Sequence, residues 1–235
     1  MYDFGGFPEP FLKRKKRFLV KWSHLRTQQL FQEDIRSIAH IQEIAQMEVL
    51  AEIISSQIGQ LLNRSSLSKK VKVTLPTISR WIHTLEKFYY CFTIQPWFKN
   101  VSRSLIKEPK IYLWDWSYIY DPGMRFENFV ASHLMKSVHL WSDMGFGRFR
   151  LYFLRNKDKK EVDFLVTRED KPWFLVETKN SNNRALSKSL NYFYNEIQAH
   201  FGFQVSKSED YENISSFKKE GIWIVSSKTF LSQLA

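Results

Sequence analysis

Thirteen residues separate Asp163 from the run Glu177-Thr178-Lys179, and each lies in an otherwise apolar stretch. Side chains of an extended chain alternate between two faces. Glu161 and Asp163 therefore share one face of a strand, while Val162, Phe164 and Val166 take the other. Glu177 and Lys179 share a face in the same way, with Val176 and Thr178 opposite. If the two strands pair as a hairpin, three carboxylates and one lysine converge. The hard oxygens of Asp163 and Glu177 suit magnesium or manganese, and the backbone carbonyl of Thr178 would complete the ligand set. Such an ion lowers the pKa of a bound water and neutralises charge on a phosphate. Lys179 would hold or polarise the attacking water, or stabilise the developing negative charge. Glu127, on a preceding helix, would reach the ion through water or hold a second one. The plainer alternatives are a surface ladder of charges for the strand residues and a helix-dipole partner for Glu127. Glu161 reads as a neighbour rather than a ligand.

The elements that must position these groups are legible around them. After the turn Asp121-Pro122-Gly123, the residues Phe126, Phe129, Val130, His133 and Leu134 form a helical face. Strands are predicted at Phe149–Leu154, Glu161–Val166 and Trp173–Lys179, with Asn156–Lys160 as a polar turn. A helix over Ala185–Ala199 and a strand over Ile222–Val225 complete an α/β sandwich around a mixed sheet.

Upstream, Met1 to Leu12 reads as a loop, because Gly5-Gly6-Phe7-Pro8-Glu9-Pro10 is turn-forming. Lys13–Arg17 is a basic run of the kind that usually faces solvent. Between Phe31 and Gly59, apolar residues such as Ile35, Ile38, Met47, Leu50 and Ile54 recur at helical spacing, which predicts an amphipathic helix in two pieces. Ser65–Val71 is a short helix opened by a serine cap, Lys72-Val73 the turn, and Thr74 caps a second helix with Pro76 in its first turn. Strand-like Phe88–Ile94 and Ile111–Trp114 follow. A helix-turn-helix followed by a two-stranded hairpin is a winged helix. Thr77, Ser79 and Arg80 on its second helix, with Lys99 and Arg103 in the hairpin, are its candidate DNA contacts. The expected division is 1–30 as a linker or the remnant of an ATPase lid, 31–117 as the winged helix, and 118–235 as the site-bearing domain.

Thirty-five basic against 24 acidic residues leave a net charge of +11, which favours phosphate-rich partners. No apolar run approaches the ~20 residues that span a bilayer, so no membrane partner is expected. The N-terminus lacks the order of a signal peptide. A single cysteine, Cys91, excludes an internal disulfide and points to the cytoplasm. The six histidines are scattered without zinc-ligand spacing.

Asp163 and Glu177-Thr178-Lys179, preceded by the helical Glu127, resemble the signature of the PD-(D/E)XK nucleases. That resemblance implies a restriction-endonuclease-like core using Mg2+ or Mn2+. A wider resemblance rests on Gly5-Gly6-Phe7-Pro8-Glu9-Pro10, Asp34-Ile35, Thr77-Ile78-Ser79-Arg80-Trp81 and Leu85-Glu86. It continues through Pro109-Lys110-Ile111-Tyr112-Leu113, Phe126-Glu127-Asn128-Phe129-Val130, Glu161-Val162-Asp163-Phe164 and Val176-Glu177-Thr178-Lys179. Together these resemble the C-terminal half of a prokaryotic AAA+ ATPase family in which an ATPase domain precedes a winged helix and a nuclease-like domain of unknown function. The resemblance implies DNA as a partner, together with an AAA+ ATPase partner or a missing N-terminal domain. This chain has no G-x-x-x-x-G-K-[ST], so no ATP site of that kind is expected. A fragment, a split gene product and a stand-alone protein all fit, and oligomeric state is left open.

Overall fold

In the computed structural model, which describes residues 1–38, 42–98, 108–180, 185–207 and 215–234, the chain divides into two units. One comprises Met1–Thr93 with Ile111–Asp121, the other Ile94–Lys110 with Pro122–Ala235.

The first unit is mainly helical. Helix α1 (Pro8–Lys13) forms where a loop was expected. Its prolines sit in the first turn, where their fixed φ suits a helix and their missing N–H costs nothing. The basic run is split, because Arg14 turns left-handed (φ 48°) between α1 and α2 (Lys16–Gln28). A π-helical segment (Gln29–Ile35), the short α3 (Arg36–Ile38) and α4 (Ile44–Ser55) supply the expected helix in pieces. Helix α5 (Arg64–Val71) is capped by Asn63, which accepts the Ser66 N–H, rather than by a serine. Lys72 reverses the chain in a left-handed conformation, and Thr74 caps α6 (Leu75–Lys87) by accepting the Thr77 N–H. Ile78, Trp81, Ile82 and Leu85 recur at helical spacing and are all buried, so one stripe of α6 serves the core of this unit.

Seven strands follow the order β2-β1-β3-β4-β5-β6-β7 in one mixed sheet. They are β1 (Cys91–Pro96), β2 (Lys110–Leu113), β3 (Phe149–Arg155), β4 (Glu161–Arg168), β5 (Lys171–Lys179), β6 (Phe201–Ser206) and β7 (Gly221–Ser226). The division between units passes through β1 and β2.

Within the second unit, Gln95 and Pro96 of β1 run parallel to Tyr152 and Phe153 of β3. Strands β3, β4 and β5 form an antiparallel meander, and β5, β6 and β7 run parallel. Three helices cover this sheet: α7 (Pro122–Asp143), α8 (Lys188–Ile197) and α9 (Ser227–Leu231). Leu190 and Phe193 of α8 pack on Leu154, Val162, Leu165 and Leu175. On the other face Phe174, Phe203 and Phe230 meet edge to face or tilted, with centroids 5.0–6.2 Å apart.

Strand β6 and helix α9 had no counterpart in the sequence reading. Five of the six β6 residues are buried, so the strand shows no alternation to be recognised. Among the described residues no helix is long and apolar enough to cross a membrane.

Candidate functional site

The ladder between β4 and β5 shifts register between Val166 and Thr167 and then runs as far as Phe164↔Val176. One residue further along, the Asp163 carboxylate takes over. Its Oδ2 accepts the Thr178 N–H at 2.8 Å and the Thr178 hydroxyl at 2.7 Å. Strict alternation puts Thr178 on the face away from Asp163. Its hydroxyl nevertheless reaches the carboxylate, because the pairing has given way to a side-chain link. Two donors on one oxygen fix the carboxylate on β5 and leave Oδ1 to other partners.

Glu177 is 7% exposed. Its Oε1 accepts the Lys179 ammonium at 2.7 Å and the Ser187 hydroxyl at 3.3 Å. Its Oε2 is buried without a hydrogen-bond partner. Burial, followed by the negative charge of Asp163, pushes the Glu177 carboxyl up to about 7, against the opposing pull of Lys179 and Ser187. Burial pulls Lys179 downward, yet its bond to Glu177 and the charges of Glu177, Asp163 and Glu127 hold it above its ordinary value. Asp163, Glu177 and Lys179 thus act on one another across the ends of β4 and β5.

Glu127 lies on α7 and engages a residue that sequence reasoning had not placed in the site. The Lys110 ammonium, 2% exposed at the start of β2, lies 3.4 Å from Glu127 Oε1 and 2.5 Å from Glu161 Oε1. Arg155 Nη1 holds the other Glu161 oxygen at 2.9 Å. Burial works against the charged Lys110, but Glu127, Asp163 and Glu161 outweigh it and raise its pKa. Glu161, expected as a bystander, is therefore half of a carboxylate pair gripping a buried lysine. A signal existed: a lysine opening the apolar strand Ile111-Tyr112-Leu113 must find acids if it is buried.

Two further residues were missed. Gln204 pairs with Glu177 in the β5–β6 register and is fully buried. It accepts the Ser187 N–H at 2.7 Å and donates to the Ala185 carbonyl at 3.0 Å. That amide fixes the entry to α8, and with it the Ser187 hydroxyl on Glu177. Without β6, the sequence reading had no place for Gln204.

Among the described residues, no group of three or more His, Cys, Asp or Glu side chains could hold a metal ion. Two carboxylates remain suited to one, because Glu177 Oε2 is an orphaned buried oxygen and Asp163 spends only Oδ2 on Thr178. Lys110 draws Glu127 and Glu161 to itself.

The candidate DNA contacts fall in the first unit or outside the described residues. Ser79 and Arg80 are exposed on α6. The Thr77 hydroxyl lies 2.9 Å from that of Thr74, at the helix cap. Lys99 and Arg103 lie outside the described residues.

Comparison with known proteins divides the chain after Asp121, where the second unit resumes, but it leaves Ile94–Lys110 with the first part. Residues 2–121 match the family described as Domain of unknown function (DUF8612), and residues 122–230 match Domain of unknown function (DUF4143). Similar proteins include the uncharacterized proteins Mb2031c of Mycobacterium bovis and Rv2008c of Mycobacterium tuberculosis. Each is 21% identical over 201 residues, which cover 79% of this chain and 44% of the relative. The chain thus spans less than half the length of these curated relatives. No solved structure matches it.

Proposed function

We propose that this chain, which belongs to the DUF8612 family, acts on nucleic acid and hydrolyses phosphodiester bonds at the Asp163–Glu177–Lys179 cluster. On this reading the second unit is a PD-(D/E)XK nuclease-like core, and α5, α6, β1 and β2 are a winged helix that binds duplex DNA in the cytoplasm. The observation that carries the reading is the buried, unpartnered Oε2 of Glu177 beside an aspartate and a lysine. A buried oxygen without a partner costs free energy unless something fills the place.

Asp163 and Glu177 would hold one Mg2+ or Mn2+, with the Thr178 carbonyl as a further ligand. When bound, the ion supplies a more acidic water and neutralises phosphate charge. Thr178 keeps Asp163 in place. Lys179 stands on Glu177, within reach of a water or phosphate oxygen at that carboxylate. Glu127, held by Lys110, would act on the ion from outside its ligand set.

The test uses purified protein, plasmid and single-stranded DNA, and either metal. The parent should cut only with metal. Asp163→Ala should lose both cutting and metal binding, while Lys179→Ala should keep metal binding and still fail to cut. Cutting that survives Asp163→Ala would refute the assignment.

A second reading is a non-catalytic binding module within, or partnered with, an AAA+ ATPase. The diversion of Glu127 and Glu161 to Lys110 favours it, as does the greater length of the relatives. A parent that binds DNA tightly and cuts no form of it would establish that reading instead.

A further inference from the structure

Both ends of the sheet in the second unit carry exposed lysines, and only one end carries them beside the cluster. At the end away from the site, where β4 leads into β5 and where β3 and β6 begin, some cations are matched by acids, while Lys171, Lys218 and Lys219 form no ion pair among the described residues. Arg148 pairs with Asp170, Arg150 lies 3.8 Å from the same aspartate, and His200 lies 2.8 Å from Glu220. At the site end Lys110, Arg155 and Lys179 are paired with Glu127, Glu161 and Glu177, and a second group of lysines is not paired. The β3–β4 turn carries Lys157, Lys159 and Lys160, and Lys188 opens α8; all four are exposed and none forms an ion pair among the described residues. Asp158 is the one acid within that turn.

These lysines are placed at the cluster by contacts. The turn joins Arg155 directly to Glu161, and those two side chains are bonded at 2.9 Å. Asn156 closes the turn by accepting the Lys160 N–H at 3.0 Å, and Lys159 adopts a left-handed φ of 62°. The Lys160 ammonium sits 4.2 Å from the centre of the Tyr192 ring on α8. One turn before Tyr192, Lys188 follows Ser187, whose hydroxyl bonds Glu177. The turn and the start of α8 therefore put lysines without ion pairs next to the elements that carry the acidic cluster. Free acids alone would repel a polyanion; a lysine margin offsets that repulsion at the place where a phosphate must approach.

We infer that Lys157, Lys159, Lys160 and Lys188 form the surface that holds a nucleic-acid phosphate backbone across the cluster. This inference rests on the proposed action on nucleic acid and adds the residues that would seat it. It moves the principal contact surface from the helix-turn-helix to the β3–β4 turn. The exposed Tyr192, against which Lys160 rests, gives that surface a ring on which an unpaired base can stack.

The test is fluorescence anisotropy with a 20-mer DNA, double- and single-stranded, in EDTA and over a range of salt. The parent is compared with Lys157→Gln/Lys159→Gln/Lys160→Gln and with Lys171→Gln/Lys218→Gln/Lys219→Gln, which removes equal charge from the far end. The first triple should lower affinity at least about tenfold near 0.1 M salt and reduce the salt slope by about 2 to 3, as expected when three phosphate contacts are lost. Lys188→Gln should lower the slope by about 1, and the far-end triple should leave it unchanged. Equal effects of the two triples, or none from the first, would overturn the inference while leaving metal-dependent cutting to be judged separately. Binding that depends on the turn without any cutting would sustain the surface and remove the hydrolytic reading. A parent that binds anionic vesicles but neither DNA form would overturn both.

Discussion

Replacing Lys110 with methionine should destabilise the second unit by about 2–3 kcal/mol, although methionine nearly matches the lysine stem in volume. The Lys110 side chain is 2% exposed, with Glu161 Oε1 at 2.5 Å and Glu127 Oε1 at 3.4 Å. Removing one partner of a fully buried ion pair typically costs about 3–5 kcal/mol, because the other charge is stranded. Here Glu127 and Glu161 keep 20% and 25% exposure, and Arg155 still holds Glu161 at 2.9 Å. Water and arginine therefore screen part of the stranded charge, and the cost drops to the lower end. Native-state hydrogen exchange on β3, β4 and α7 reports the loss unit by unit, which a single melting curve of a two-unit chain would blur. The triple variant Lys110→Met/Glu127→Gln/Glu161→Gln should recover much of it, since it strands no charge. Lys179→Met is the contrast. That lysine is 37% exposed, and its partner Glu177 can take up a proton instead of remaining a bare anion. A loss below about 1 kcal/mol for Lys110→Met, or a loss no larger than that of Lys179→Met, would refute the buried-clamp argument.

Glu177 should give the protein a measurable pH dependence in EDTA. Its folded pKa of about 7 lies above the ordinary 4.5, so its contribution is fully present below about pH 4.5 and is lost as pH rises through about 7. The loss is at most about 3 kcal/mol, and Glu177→Gln, which mimics the protonated form, should flatten it and exceed the parent in stability at pH 8. Parallel stability profiles of parent and variant between pH 4.5 and 8 would contradict this. Thr178→Val removes the 2.7 Å hydroxyl bond to Asp163 while conserving shape and should cost about 1 kcal/mol, with Thr178→Ser close to the parent. Urea titrations in which valine and serine variants coincide would show that the backbone N–H alone fixes Asp163.

The site residues were legible because their strands alternate. Val162 and Phe164 flank Asp163, and the run Trp173–Val176 leads directly to Glu177, so pattern and chemistry point the same way. Alternation failed at Thr178, whose hydroxyl bonds Asp163 because the ladder gives way beyond Phe164↔Val176. It also failed at β6, which is buried nearly throughout and therefore presents no period. With β6 went Gln204 and the support it gives to Ser187. Lys110 was hidden for a different reason. Its partners Glu127 and Glu161 lie 17 and 51 positions away, so the apolar strand that Lys110 opens hints at burial without identifying the acids that receive it. The Pro8–Lys13 helix was misread because prolines that break a helix interior are well placed in its first turn.

Charge balance links the buried clamp to the proposed chemistry. Four carboxylates, those of Glu127, Glu161, Asp163 and Glu177, face three cations, those of Lys110, Lys179 and Arg155. With every group ionised the cluster carries one surplus negative charge, and Glu177, whose pKa is raised first by burial and then by the charge of Asp163, is the acid that sheds it most readily. On the proposed reading one divalent ion reverses that surplus to a single positive charge, and one phosphodiester then brings the set to neutrality. Two divalent ions would leave the same set strongly positive, and Lys110 already occupies the attention of Glu127 and Glu161. A buried ammonium is a fixed counter-charge that needs no supply from solution. It balances Glu127 and Glu161 from within the fold and leaves Asp163 and Glu177 as the pair with oxygens to spare.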